Sequence, residues 1–418
     1  MNASKIAKYS VLLCFVPFIF NFFFYGRTAV VTMLCSYPLM LFLILFNIKS
    51  PKTNLDSKTQ WILNIFIFLN LTLMCRGIID MTSLQDKKVI FSSTIPTMIF
   101  LPLSIYLFSE GIQTIKMAFR AFMLNVLLFA TILLFKRSTG TFDYAHAVGP
   151  IYLLIIFMPY LQKKWRLIVL LVAFISFFND LSVRANLLNI MVAFLISFTF
   201  YFRNLEIMYK LIKTFRRILL YVPVFLLFLG LTGGFNIFKI GEYVGSYELD
   251  TGDYGDQEVT VDSRTGIYTD VFSALNKKDA LLFGLGANGK TKTYLSKVSW
   301  GDLKKIYAEG RRATESGMLN YIQWGGFLGM FCYLVLFIRA SYLGVYKSNN
   351  WLCICLGLWV AYKSMFSFIE DRLFFSIYSL FLFIPIAMCL NNDLRKLNDK
   401  EILFYIRNMF NSNYTIKY

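Results

Sequence analysis

Several short stretches of this chain hold residue types and spacings that could do chemistry. Asp262-Ser263-Arg264-Thr265-Gly266 places a guanidinium in the first turn of an expected helix, with Asp262 as its N-cap. A cation there opposes the helix dipole by about 0.3–1 kcal/mol. The same turn sets free backbone N–H groups beside a guanidinium, a combination that suits an anion. An ion pair between Arg264 and Asp262 is the plain alternative. Arg184 ends Asn179-Asp180-Leu181-Ser182-Val183-Arg184, in a tight turn between two apolar blocks. It reads equally well as an interfacial anchor and as a costly charge kept for function. Glu315 stands in Arg311-Arg312-Ala313-Thr314-Glu315-Ser316-Gly317, just before another apolar block. A partly buried carboxylate could act there as a general base, although an acid at a helix start is the commoner reading. Glu370, Asp371 and Arg372 form a turn between the last two blocks and could pair or line the same cavity.

Metal chemistry finds little support. His146 is the only histidine, so a zinc site built on several histidines is excluded. The acids Glu248, Asp250, Asp253, Asp256 and Glu258 lack the alternating spacing of a calcium loop and read as a solvated face. Cys353 and Cys355 lie in an apolar block and read as helix packing, and none of the seven cysteines indicates a disulfide framework. No metal and no cofactor is expected.

The elements that must position these residues are membrane helices. The chain has 418 residues, of which 57% are hydrophobic and 16% charged, whereas soluble domains carry nearer a quarter charged. Apolar blocks near the length that crosses a bilayer recur at about 8–25, 28–47, 60–79, 89–108, 118–135, 148–161, 166–180, 185–202, 218–233, 317–338, 351–368 and 373–390. The blocks are continuous rather than alternating, which argues against a β-barrel. The expected fold is therefore an all-α polytopic membrane protein of about twelve spans. It divides into transmembrane helices over 1–233, an extracytoplasmic loop over 234–316, three further helices over 317–390 and a basic cytoplasmic tail over 391–418.

The net charge of +18 would suggest nucleic acid in a soluble protein. Here the positives flank the apolar blocks and set topology, so no nucleic acid is expected. Clusters at Lys49, Lys52 and Lys58, at Lys163, Lys164 and Arg166, over Arg203 to Arg217, and at Arg395, Lys396, Lys400 and Arg407 place both termini inside and the long loop outside. Arg203 to Arg217 interleaves basic and apolar residues and predicts an amphipathic helix on the anionic inner leaflet. The first block lacks a small-residue cleavage site and reads as a retained anchor. Within the outer loop, Ile267, Val271 and Leu275 recur at helical spacing and predict a helix over the bundle mouth. Gly325 and Gly329 predict a close helix contact.

Ser182-Val183-Arg184, Ser263-Arg264, Leu282-Phe283-Gly284-Leu285-Gly286 and Trp324-Gly325-Gly326-Phe327-Leu328-Gly329, taken in this order around one large outer loop, resemble the O-antigen polymerase and O-antigen ligase superfamily. Ligases carry a His near the position of Glu315, which separates this chain from them. The resemblance implies a GT-C-like glycosyltransferase in the bacterial cytoplasmic (inner) membrane. It would polymerise oligosaccharide repeat units carried on undecaprenyl diphosphate, with inversion and without a metal. It further implies Arg184, Arg264 and Glu315 as catalytic residues, and Gly284, Gly286, Arg311, Arg312 and Arg372 beside Arg184 and Arg264 at the substrate. The implied partners are the lipid-linked oligosaccharide, the lipid bilayer and a polysaccharide chain-length regulator. Other readings are an O-antigen ligase, a lipid-linked oligosaccharide flippase, which needs pseudo-symmetric halves, and a scaffold without chemistry.

Overall fold

A computed structural model describes residues 2–23, 28–49, 54–135, 149–179, 184–233, 248–250, 256–258, 263–292, 310–371 and 373–410. These residues are predominantly helical. The apolar blocks form α1 (Ala3–Phe23), α2 (Thr28–Lys49), α3 (Ser57–Ile79), α4 (Leu84–Ser109), α5 (Ile112–Phe135), α6 (Ile151–Tyr160), α7 (Lys163–Asn179), α8 (Arg184–Phe198) and α9 (Glu206–Leu231). After the loop helix α10 (Ser263–Lys277) come α11 (Gly317–Tyr346), α12 (Trp351–Phe366) and α13 (Ile377–Leu390), followed by the short α14 (Asn392–Lys396) and α15 (Asp399–Arg407). Eight of the described helices are long and apolar enough to cross a membrane, while α6, α12 and α13 are apolar but shorter. The protein is thus a multi-pass helical membrane protein. The acidic stretch of the loop forms a small antiparallel pair, β1 (Glu248–Asp250) with β2 (Asp256–Glu258), in which Glu248 faces Glu258 and Asp250 faces Asp256.

The short helices lie deepest. Nearly every residue of α12 and α13 is buried. They sit between α11, the Leu101–Ser109 end of α4, α9 and α8. A segment covered by other helices on all sides need not itself match the bilayer thickness. Within α4, π turns run over Ile90–Thr94 and Pro96–Phe100. Pro96 and Pro102 supply no N–H to the helical ladder, and the wider turn absorbs the missing bonds.

Two sequence expectations change. The basic Arg203 to Arg217 segment is not a separate helix lying on a surface: from Glu206 it runs unbroken into the next span as α9. The Gly325–Gly329 run is not a plain packing face. It holds a break in α11, where Gly326 adopts φ 62° and ψ −155°. The break strands backbone groups that a bilayer cannot hydrate. The loop Leu281–Gly286 supplies them: Leu285 and Gly286 N–H donate to the carbonyls of Gln323 and Trp324 at 2.8 and 2.9 Å, and Phe327 and Leu328 N–H donate to those of Leu281 and Leu282 at 2.9 and 3.1 Å.

This docking requires glycine. A Cβ on Gly284, whose φ is +67°, would lie 2.4 Å from the backbone nitrogens of Gly325 and Gly326. One on Gly326 would lie 2.4 Å from the Leu282 carbonyl carbon. Gly284→Ala combines overpacking with a strained φ, so we expect a loss of about 3 kcal/mol or more. Gly266→Ala, in α10 with open space around it, should instead be neutral or stabilising by up to about 1 kcal/mol. Thermal unfolding in detergent compares them, and equal melting temperatures for the two variants would contradict the docking role.

Candidate functional site

One end of the bundle concentrates fixed polar groups in two neighbouring clusters. The first is built on Asp86 in the opening turn of α4, whose side chain is fully buried. Its Oδ2 accepts from the N–H groups of Thr82 and Ser83 at 3.2 and 3.0 Å, and Ser83 Oγ accepts in return from Asp86 N–H at 3.1 Å. This reciprocal cap fixes the carboxylate. Its Oδ1 meets Lys290 Nζ at 2.8 Å and a close pair of bonds from the Arg312 guanidinium. Asn288 completes the group, accepting from Arg312 Nε at 3.2 Å and donating to the Asp80 carbonyl at 3.1 Å. Alongside, Arg76 at the end of α3 donates to the carbonyls of Phe283 and Gly284 at 2.7 and 3.1 Å. The cluster ties α3, α4, the glycine loop and the foot of α11 into one framework.

The second cluster lies where α12 turns into α13. Lys363 and Asp371 are both buried and pair at 2.6 Å. Tyr378 O–H also donates to Asp371 Oδ1 at 2.6 Å, and Lys363 Nζ reaches Asn189 Oδ1 of α8 at 3.3 Å. Asp371 Oδ2 is buried with no hydrogen-bond donor among the described residues. Asp371 also has φ +66°, a region uncommon outside glycine but more open to aspartate than to most residues. Its backbone pairs with Ser316 in an antiparallel bridge, and Gly317 N–H donates to the Glu370 carbonyl at 3.0 Å. A narrow cleft lined by Gly149, Pro150, Tyr152, Trp359, Lys363 and Tyr378 runs beside the pair.

The residues singled out in the sequence distribute unevenly over this end. Arg184 opens α8 and Arg264 is the second residue of α10, while their side chains lie outside the described residues, as do Asp262, His146 and Arg372 altogether. In α10, Ile267, Val271 and Leu275 are buried as their spacing predicts, and Tyr268 O–H donates to the Phe368 carbonyl at 2.7 Å. Glu315 is paired with Arg311 at 3.5 Å, with 45% of its side chain exposed and only 8% of that of Arg311. Arg312 is engaged by Asp86, and Gly284 and Gly286 carry the docking of the loop on α11. Sequence reading missed Arg76, Asp86, Lys290 and Lys363. The available signal was that Arg76, Asp86 and Lys363 are ionisable residues within or at the ends of apolar blocks, where charge is expensive. No group of three or more metal-ligating residues occurs among the described residues.

No family model, no curated protein and no solved structure matches this chain.

A buried ion pair is sensitive to the loss of one partner. We expect Lys363→Met to lower stability by about 3–5 kcal/mol, because the Asp371 carboxylate stays buried without its counter-ion. Adding Asp371→Asn, which tolerates the left-handed backbone, should recover part of that loss. Denaturant unfolding in mixed micelles reads both. A double variant as unstable as the sum of the singles would show that the two charges are not coupled.

Proposed function

We propose that this protein polymerises oligosaccharide repeat units carried on undecaprenyl diphosphate, by metal-independent, inverting glycosyl transfer at the outer face of a bacterial cytoplasmic membrane. The observation that carries the reading is the convergence of three chain positions on the last turn of α12 and the turn that follows it. Asn189, which meets Lys363, is five residues past Arg184, about 7.5 Å along a helix. Tyr268, which bonds Phe368, is one turn past Arg264. Ser316, which pairs with Asp371, follows Glu315. Residues near the starts of three separated stretches thus contact one segment, 363–371, and this supports the reading. The framework around Asp86 keeps that place fixed.

In this reading Arg184 and Arg264 hold the diphosphate. A hydroxyl oxygen of a second lipid-linked repeat unit bonds to the anomeric carbon as its bond to the diphosphate oxygen breaks. The bonding electrons leave with undecaprenyl diphosphate, and the hydroxyl proton passes to Glu315. A diphosphate leaves readily and needs charge stabilisation above all, which two planar guanidinium forks can supply. The reading takes all twelve apolar blocks as crossings in a GT-C-like arrangement with both termini cytoplasmic. The end-to-end grouping supports an alternating path: Asn54 Nδ2 donates to the Glu110 carbonyl at 2.8 Å and Asn392 N–H to that of Asn54 at 2.8 Å at one end, while Ser316 and Asp371 meet at the other. A ligase or flippase has no separate observation in its favour.

Purified protein incubated with a lipid-linked repeat unit tests the reading. A ladder of products is expected, with EDTA leaving it unchanged. A single transfer would indicate a ligase, and no transfer would remove the proposal. Loss of one charged donor in the transition state typically costs about 2.7–4 kcal/mol, roughly a hundred- to thousand-fold in rate. Arg184→Ala and Arg264→Lys should each lose about that much, the second because lysine lacks the fork. Glu315→Gln should lower turnover more than lipid binding. Near wild-type rates for both arginine variants would discard the diphosphate clamp. Sidedness is read separately with cysteines introduced at Asp253 and Lys347: an impermeant thiol reagent should label only the first in intact cells.

A further inference from the structure

At the opposite end of the bundle, α9 crosses the last turns of α11 and builds a cationic pocket that the glycosyl-transfer reading does not use. Arg216 is 4% exposed. Its Nε donates to Ser341 Oγ at 2.8 Å and its Nη2 to the Ile338 carbonyl at 3.2 Å. Its guanidinium carbon stands 5.1 Å from the centre of the Tyr346 ring and 5.8 Å from that of Tyr342, and the two rings stack. Lys213 Nζ lies 3.8 Å over the Tyr209 ring and 5.5 Å from that of Tyr346. Tyr209 is anchored in turn by its O–H to the Val345 carbonyl at 3.1 Å. Two cations thus share one tyrosine ring.

Among the described residues the partners of these cations are neutral. Among the described residues no carboxylate pairs with Lys213, Arg216 or Arg217, and the acid that opens α9, Glu206, is taken by Lys210 at 2.9 Å. Arg312, Arg339 and Lys363, by contrast, each meet a carboxylate. Aromatic faces attract a cation but do not neutralise it. Among the described residues this buried arginine beside a second cation has no counter-ion. The surroundings show where one would come from. Leu211, Phe215 and Ile218 on α9 are exposed apolar side chains, and Tyr342 and Tyr346 end α11 just before Lys347, as aromatic belts do at the level of lipid headgroups.

We propose that Lys213 and Arg216, framed by Tyr209, Tyr342 and Tyr346, bind the phosphate of an anionic phospholipid headgroup in the leaflet at this end of the bundle. The guanidinium suits a phosphate diester by its planar donors, and the ammonium adds a second, movable charge.

The test is native mass spectrometry of the purified full-length protein in mixed micelles of phosphatidylcholine and phosphatidylglycerol. Wild-type protein should retain phosphatidylglycerol selectively through partial delipidation. Lys213→Gln with Arg216→Gln should reduce that retention at least tenfold. Lys210→Gln with Lys347→Gln, charges at the same end outside the pocket, should leave it unchanged. If the Arg216 variant does not fold, Lys213→Gln with Tyr346→Leu carries the same expectation. Equal retention by wild-type protein and the pocket variant overturns the proposal. So does an equal loss in the Lys210 and Lys347 variant, which would mean a diffuse field rather than a site. Full displacement of the lipid by millimolar inorganic phosphate would also overturn it, since the pocket would then take free anions.

Discussion

The rest of the structure depends on backbone hydrogen bonds across the break in α11. A bilayer offers no water to an interrupted helix, so the interruption survives only where protein groups replace the lost ladder. Here the replacement is the turn stretch Leu281–Gly286, bonded to both sides of Gly326. The break and the loop therefore exist only together. Once joined, they fix where the loop descends, and Arg76 clamps the joint from α3 through two carbonyls of the same stretch. The polar framework on Asp86 is anchored to that joint through Asn288, Lys290 and Arg312.

The helical membrane fold was legible because its signal is long and redundant. Most apolar blocks exceed what a soluble core helix needs, and α10 announced itself through Ile267, Val271 and Leu275, all of which are buried. The glycine loop was visible as a turn, but its partner was not. Nothing in Leu282-Phe283-Gly284-Leu285-Gly286 says that the other half of the contact is Trp324-Gly325-Gly326, because a match of two backbones has no side-chain code. For the same reason Gly325 and Gly329 resembled ordinary helix packing.

The buried charges divide along the same line. Lys363 and Asp371 are eight residues apart and could have been paired from sequence, since a lysine inside an apolar block requires an acid. Asp86 and Arg312 are separated by 226 positions, and only the fold brings them together. Two arginines adjacent in sequence also take different duties: Arg311 meets the half-exposed Glu315, while Arg312 meets the fully buried Asp86. Adjacent side chains in an extended segment point to opposite sides, so a pair of arginines need not act as one unit.

The unbroken course of α9 has a mechanical consequence. At 1.5 Å per residue its 26 residues make a rod of about 39 Å, reaching from the basic turns at one end of the bundle to the root of the loop over 234–316 at the other. The far root of that loop is stitched down through Thr291 with Arg311 and through Ser316 with Asp371. Because α9 is one continuous rod, a displacement of its basic turns at one end of the bundle is carried to Gly233 at the other, while the Thr291–Arg311 and Ser316–Asp371 seams stay tied down.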